Sequence, residues 1–270
     1  DICEMPVTTY LCAKAHNKPF TAIPVFVTRK FHHDAIVYNP DSGIREPKDL
    51  EGRVVGVNRG YTVTTGVWAR GVLRNEYNVD LDKIRWAATG DEHVAEFQLP
   101  ENADYAFKGR EMSDLFERSE IAAAVGAINA ASSNVKPLIP NAVEAGFESY
   151  RKTGVYPVNH TIVVKNSLLE KYPGLAPDLF DAIKKSKDVY LSGLDGPGEG
   201  SGELSEEDAL TFALGQGVGG DPFPLGVEPN HKALAALIQM SVDQKIIPRE
   251  LTIAELFAKG TLELIGEGVC

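Results

Sequence analysis

Cysteine is scarce in this 270-residue chain, and Cys3, Cys12 and Cys270 form an odd set without metal-type pairing. That argues against a disulfide framework and fits a reducing compartment. Positive charge is also short. The 27 Lys and Arg face 38 Asp and Glu, a formal net charge of −11, which is the wrong sign for holding nucleic-acid phosphates. A small anion remains an acceptable ligand, because a few local cations override a distant net charge. No apolar run reaches the length of about 18 residues that a membrane span needs, so no membrane insertion is expected. Asp1-Ile2-Cys3-Glu4 lacks the basic start and apolar core of a signal peptide, and a cytoplasmic location is expected. Several chemistries are missing too: there is no GxSxG elbow, no HxH or HExxH spacing and no convincing nucleophilic cysteine.

What is present reads as an ordinary globular α/β chain, 43% hydrophobic and 24% charged, long enough for one large domain or two lobes. Short β-type runs alternate with helical patterns, the mark of mainly parallel sheets. Strands are expected at 22–27, 35–38, 53–57, 83–87, 121–125 and 161–164. Helices are expected at 6–15, with Pro6 in the first turn, and at 63–77, 112–118, 143–152, 176–191, 230–244 and 252–259. Residues 39–43 are a turn cluster. The acidic loop Gly193–Gly202 lacks the Lys-Ser/Thr ending of a phosphate loop, and the glycines at 215–220 follow a helix instead of opening a βαβ unit, so a turn is the better reading. No internal repeat is visible.

The candidate chemistry gathers around histidine. In Arg29-Lys30-Phe31-His32-His33-Asp34-Ala35-Ile36-Val37-Tyr38, a strand reading sends His33 to one face with Phe31 and Ala35, and His32 to the other with Asp34. One imidazole then faces a cleft while its neighbour meets solvent or Asp34; the plain alternative is a polar strand end. His160 opens another strand after Gly154-Val155-Tyr156-Pro157, and the two histidines converge only if those strands are neighbours. Asn58-Arg59-Gly60-Tyr61-Thr62-Val63-Thr64-Thr65-Gly66 joins a strand to a helix. Its hydroxyls and backbone N–H groups suit an anion, although N-capping alone would use one threonine. Adjacent histidines on a strand diverge, so His32, His33 and His160 with Glu4 make a poor metal set and no metal is expected. His16, His93 and His231 read as structural.

These residues carry a resemblance that runs nearly end to end. Glu4-Met5 leads into Tyr10-Leu11. Ala22-Ile23-Pro24-Val25-Phe26 is followed by Arg29, Phe31 and His33, and then by Pro47-Lys48-Asp49-Leu50-Glu51-Gly52 and Val55-Gly56-Val57. Thr64 precedes Gly66-Val67-Trp68-Ala69-Arg70-Gly71, and later come Thr153-Gly154-Val155-Tyr156-Pro157 with His160 and Asp221-Pro222-Phe223-Pro224-Leu225-Gly226-Val227-Glu228-Pro229-Asn230. The sequence resembles the 4,5-dihydroxyphthalate decarboxylase family, which shares the fold of type II periplasmic solute-binding proteins. The segments around His33, His160 and Asp221–Asn230 are much more specific to that branch than the Asp49–Val57 segment, which is shared with many solute-binding proteins.

The resemblance implies two lobes about a central cleft, residues 1–39 plus 160–270 in lobe I and 40–159 in lobe II. The chain would cross between them on two adjacent hinge strands at 35–39 and 157–163, bringing His33 and His160 to the cleft floor. It also implies a strand and helix ahead of Glu4 that this sequence lacks, so the chain is expected to be part of a longer one. Pro6 and Asn58-Arg59-Gly60 depart from the family's usual residues. The implied activity is decarboxylation of a hydroxylated, phthalate-type aromatic acid without a cofactor. In that reading His33 or His160 donates the proton, Arg29 clamps the carboxylate that stays, and Glu4, Asn58, Tyr61, Thr64, Thr65 and Trp68 line the substrate. The rival is a periplasmic receptor delivering an aromatic or other small anion to an ABC transporter. A thiamin-pyrimidine synthase of related fold is disfavoured because no cysteine cluster is present. A small-molecule aromatic carboxylate is the expected partner, and self-association into a homo-oligomer is left open.

Overall fold

The computed structural model describes residues 1–126, 128, 135–194 and 205–266; Cys270 and residues 195–202 of the acidic glycine loop lie outside them. The chain opens with β1 (Ile2–Pro6), α1 (Val7–Ala15), β2 (Phe20–Arg29) and β3 (Ile36–Tyr38), followed by β4 (Val54–Val57), α2 (Thr64–Tyr77), β5 (Arg85–Ala88), β6 (Ala103–Asp104), α3 (Met112–Glu117), β7 (Ala123–Val125) and β8 (Lys136–Pro137). Then come α4 (Ala142–Thr153), β9 (Val158–Lys165), α5 (Asn166–Lys171), α6 (Leu175–Ser192), α7 (Glu206–Val218), β10 (Leu225–Gly226), α8 (His231–Asp243), α9 (Ile253–Leu256) and β11 (Ile265–Gly266).

Among the described residues two main sheets form. The first, in the order β1-β9-β2, is antiparallel at both pairings, because β9 arrives from the other lobe and runs against both neighbours. The second, in the order β6-β5-β4-β7-β3-β8, is parallel through β6, β5, β4 and β7 and closes with antiparallel β3 and β8. The molecule therefore has the two-lobed α/β architecture expected, but among the described residues the parallel ladders lie in the second lobe, and the first has an isolated parallel bridge between Ala22 and Phe257. Pro24 is tolerated in β2 because that strand is an edge and its register slips between Ile23 and Phe26, where no ladder donor is needed.

One large apolar core runs from Tyr10, Leu11 and Phe26 through Val57, Trp68 and Trp86 to Leu237 and Phe257. It is continuous across both lobes because α8 lies on α1 and α2. Gly71 of α2 permits that approach: a Cβ there would overlap the Met240 side chain on α8. α2 ends at Asn78, whose left-handed backbone (φ 54°) lets its N–H bond to Leu73 O. α7 begins at Ser205, which caps Asp208 N, with Glu206, Glu207 and Asp208 in the favourable first turn.

Three local expectations change. Pro6 closes β1 and stands before α1 instead of inside it. The expected helix at 252–259 stops at Leu256, because Phe257 extends to pack edge-on against Phe26 and Ala258 N bonds to Ala22 O. The hinge segments at 35–39 and 157–163 contribute β3 and β9, which lie in different sheets and do not pair; the chain passes between lobes just ahead of them, at 30–35 and 154–157. Phe257 is 5% exposed, so Phe257→Ala is expected to cost about 3–5 kcal/mol of stability, measured by urea unfolding; a loss below about 1 kcal/mol would show that this contact does not hold the C-terminal segment on β2.

Candidate active site

The strand directions define where a ligand would meet the chain. At one end of the first sheet Pro6 and Thr28 both pair with His160, and Arg29 pairs with Val158. In the second sheet the parallel strands β4, β5 and β7 end together at Val57, Ala88 and Val125. These ends face each other, the place where open α/β sheets bind ligands. Direct bonds join them. Thr8, at the start of α1, gives its hydroxyl hydrogen to Thr62 O (2.6 Å), its Oγ1 lies 2.8 Å from Thr64 Oγ1, and its N–H bonds to Thr64 Oγ1 (3.2 Å). Thr8 and Thr64 are buried, so their hydroxyls are used between the lobes. Next to them Thr9 Oγ1 lies 3.1 Å from His93 Nδ1.

Part of the turn before α2, read above as suited to an anion, is taken by the protein's own carboxylate. Glu92 accepts from Tyr61 N–H at Oε1, and from Thr62 N–H (3.0 Å) and the Thr62 hydroxyl (2.5 Å) at Oε2. From the other side Arg70 donates to Tyr61 O (2.6 Å) and Gln244 Oε1 (2.7 Å), with its guanidinium 3.9 Å from the centre of the Tyr61 ring. Burial pulls the Arg70 pKa down, while Tyr61 and Glu92 raise it. Tyr61 itself is 3% exposed and stacks on Phe97, a packing position. Asn58 and Thr65 are half-buried on either side of the turn.

Glu4 and His160 form the half-exposed titratable pair of the first sheet. His160 Nδ1 is 2.5 Å from Glu4 Oε1, with side chains 34% and 48% exposed. An ionised carboxylate only accepts, so Nδ1 carries the hydrogen and Nε2 is the nitrogen left for other chemistry.

Arg29, His32 and His33 are buried. Arg29 donates to Tyr156 O (3.2 Å) and Asn230 Oδ1 (2.5 Å), and its guanidinium covers the Tyr156 ring at 4.3 Å. Burial lowers its pKa to about 10. Asn230 in turn donates to Pro224 O and Gly226 O, and Tyr156 OH to Pro222 O. The segments that carried the resemblance thus hold one another. Arg29 also borders a cavity of about 420 Å³ walled by Phe31, Phe147, Leu210 and Leu214.

The histidine pair is not on a strand. His33–Ala35 is a 3₁₀ turn, so both imidazoles go inward instead of alternating, and Asp34 pairs with Lys30 at 2.9 Å. His33 Nε2 lies 3.0 Å from Glu76 Oε2, and Ser149 Oγ donates to Glu76 Oε1. The His32 ring is nearly parallel to Trp68, centroids 6.4 Å apart, and Trp68 Nε1 donates to Val158 O across the lobes. Both ring nitrogens of His32 lack a partner among the described residues. His32, His33 and Trp68 share a cavity of about 160 Å³ whose walls do not include His160 or Arg29.

The structure therefore brings Glu4 to His160, and Thr64 to Thr8, but sets His33 with Trp68 and Arg29 with Tyr156. Sequence reading missed Thr8, Glu76 and Glu92, and left His93 structural. Proximity in the chain offers no cue for Glu92, thirty residues from Thr62. No three His, Cys, Asp or Glu side chains cluster as a metal site among the described residues, and no helix there is long and apolar enough to cross a membrane.

Two facing lobes with a cleft bounded by strand and helix ends define a protein of the periplasmic-binding-protein-like fold. The chain is similar to the aliphatic sulphonate binding protein SsuA of Escherichia coli, with a TM-score of 0.55 at 11% identity over 95% of this chain and 75% of that one. It is also similar to the desulfurization enzyme DSZB, with a TM-score of 0.54 at 16% identity over 97% and 83%. The family described as NMT1/THI5 like matches residues 5–192. A 4,5-dihydroxyphthalate decarboxylase of Comamonas testosteroni is 31% identical over 97% of this chain and 83% of its own, and one of Pseudomonas putida is 32% identical over 36% and 38%. The chain belongs to the 4,5-dihydroxyphthalate decarboxylase family.

Burial, with Lys30 and His33 nearby, lowers the His32 pKa from 6.5 to about 3. Between those pH values the unfolded chain takes up a proton that the folded chain refuses, so stability is complete above 6.5 and falls as pH drops. From pH 6 to 5 the unfolding free energy of the parent should fall more steeply than that of His32→Phe, by about 1 kcal/mol per pH unit. Equal slopes in denaturant titrations would show that His32 titrates normally in the folded protein.

Proposed function

We propose that this chain is a cofactor-independent decarboxylase of a hydroxylated, phthalate-type aromatic acid. The observation that carries the reading is the 31% identity, over 97% of the chain, to a protein named 4,5-dihydroxyphthalate decarboxylase. The division into 1–39 plus 160–270 and 40–159 belongs to the same proposal; the pairing of β1, β2 and β9 in one sheet supports it, while β3 at 36–38 pairs in the second sheet and draws the first boundary back to about residue 35.

In this mechanism a ring hydroxyl para to the departing carboxylate pushes electrons into the ring. The ring carbon bearing that carboxylate takes a proton, its bond to the carboxylate breaks, and carbon dioxide leaves as the ring regains aromaticity. His160 is assigned as donor, from Nε2, because it is the half-exposed imidazole at the sheet end and Glu4 holds its other nitrogen. The roles proposed for Arg29 as carboxylate clamp and His33 as second imidazole must compete with the internal partners they already have. Asn58 and Thr65, half-buried beside the turn, keep their proposed place as substrate contacts, while Thr64 bonds Thr8 and Tyr61 and Trp68 are packed.

The test is release of carbon dioxide from hydroxylated phthalates, with binding measured separately by calorimetry. His160→Gln is expected to lower turnover by about 10²-fold or more with little change in affinity, the pattern of an interaction made mainly in the transition state. Arg29→Lys should weaken binding about 10- to 100-fold if the guanidinium meets a carboxylate; unchanged affinity makes it structural. Tight binding without any carbon dioxide would replace this reading with the solute-binding receptor.

A further inference from the structure

We propose that Glu92 is a positioning residue that keeps the two lobes closed, by gripping the turn on which the bonds between them converge. Glu92 is half-buried, and both of its oxygens are committed to Tyr61 N–H, Thr62 N–H and the Thr62 hydroxyl. It has no ion pair with Lys or Arg among the described residues; its charge is met by backbone donors on one side of the turn and faces Arg70 across it. The same peptide units reach the other lobe: Thr62 O accepts from the Thr8 hydroxyl. His93, the next residue of the gripping loop, bonds Thr9. The Val63 side chain makes no cap at the start of α2; Glu92 instead holds the two residues just ahead of that position, Tyr61 and Thr62.

The fit is specific to this loop. A Cβ on Gly60 would lie 2.7 Å from Asp91 O and 2.9 Å from Glu92 Oε2, so loop and turn meet only because residue 60 is glycine. Removing the carboxylate leaves two buried N–H groups without an acceptor beside a buried guanidinium. The turn then moves toward solvent, taking Thr62 O away from Thr8. Glu92 needs no substrate for this role, which goes beyond the proposed reaction.

The experiment uses the full chain with Cys3 and Cys270 replaced by serine and spin labels at Glu117 of α3 and Glu170 of α5, one on each lobe. Glu92→Ala should broaden the distance distribution between labels and speed hydrogen exchange of the Tyr61, Thr62 and Thr8 amides by about 10- to 100-fold. Sodium acetate should restore both readouts in that variant, and acetamide at equal concentration should not, since the grip needs a charged acceptor. Asp91→Asn, which removes only the exposed pair with Lys108, should leave the distribution as in the parent. An unchanged distribution in Glu92→Ala, equal effects of acetate and acetamide, or broadening by Asp91→Asn would each overturn the proposal. If Glu92→Ala does not fold, Thr8→Val carries the test: it breaks the same bond from the other lobe and must broaden the distribution, and a parent-like result refutes the role of the turn.

Discussion

The contact between Thr8 and the turn before α2 is the constraint on which the rest of the site depends. It is a hydrogen-bonded seam between two helix starts, one from each lobe, with its polar atoms buried. Buried hydroxyls and amides tolerate little displacement, because a bond lost there is not replaced by water. The seam therefore fixes how far the sheet end carrying His160 stands from the loops that follow β4 and β5. Arg70 and Gln244 extend it into α8, so that the large apolar core and the polar seam close the same interface.

The other buried polar groups divide the labour around this interface. Arg29 ties the first crossing segment to Tyr156 in the second and to Asn230. His33 ties the same crossing to α2 through Glu76, and Trp68 ties α2 back to β9. A buried cation that gains neutral acceptors and an aromatic face is costly to place, and that cost favours one arrangement over nearby alternatives. His160 stands apart from this set. It is half-exposed and held from one side by Glu4, which suits a group that must meet a ligand more than a group that holds the fold.

Much of the fold was legible because it rests on local pattern. The helix at 64–77, the apolar strand at 54–57 and the alternation of strands and helices follow from periodicity and from turn residues that act over a few positions. The readings that changed depend on long-range packing. Residues 252–259 have a helical pattern, and Thr252 and Glu255 form a capping box that starts a helix. The docking of Phe257 on Phe26, more than two hundred residues away in the chain, ends it within a turn. Likewise, nothing between Phe31 and Ile36 announces a 3₁₀ turn; the inward course of His32 and His33 comes from Trp68 and Glu76 being ready to receive them.

By itself the sequence determined the α/β class, the family and the residue types available for chemistry, since these lie in composition, periodicity and motif. Tertiary structure decided which of those residues meet. It paired His160 with Glu4, spent Thr64 on Thr8, turned Arg29 toward Tyr156 and Asn230, and set Glu92 on the N–H groups of Tyr61 and Thr62. The reason is that a hydroxyl, guanidinium or N–H group declares its bonding capacity in the sequence, while its partner is set by burial, which compels each such group to take whichever acceptor or donor the packed lobes bring within reach.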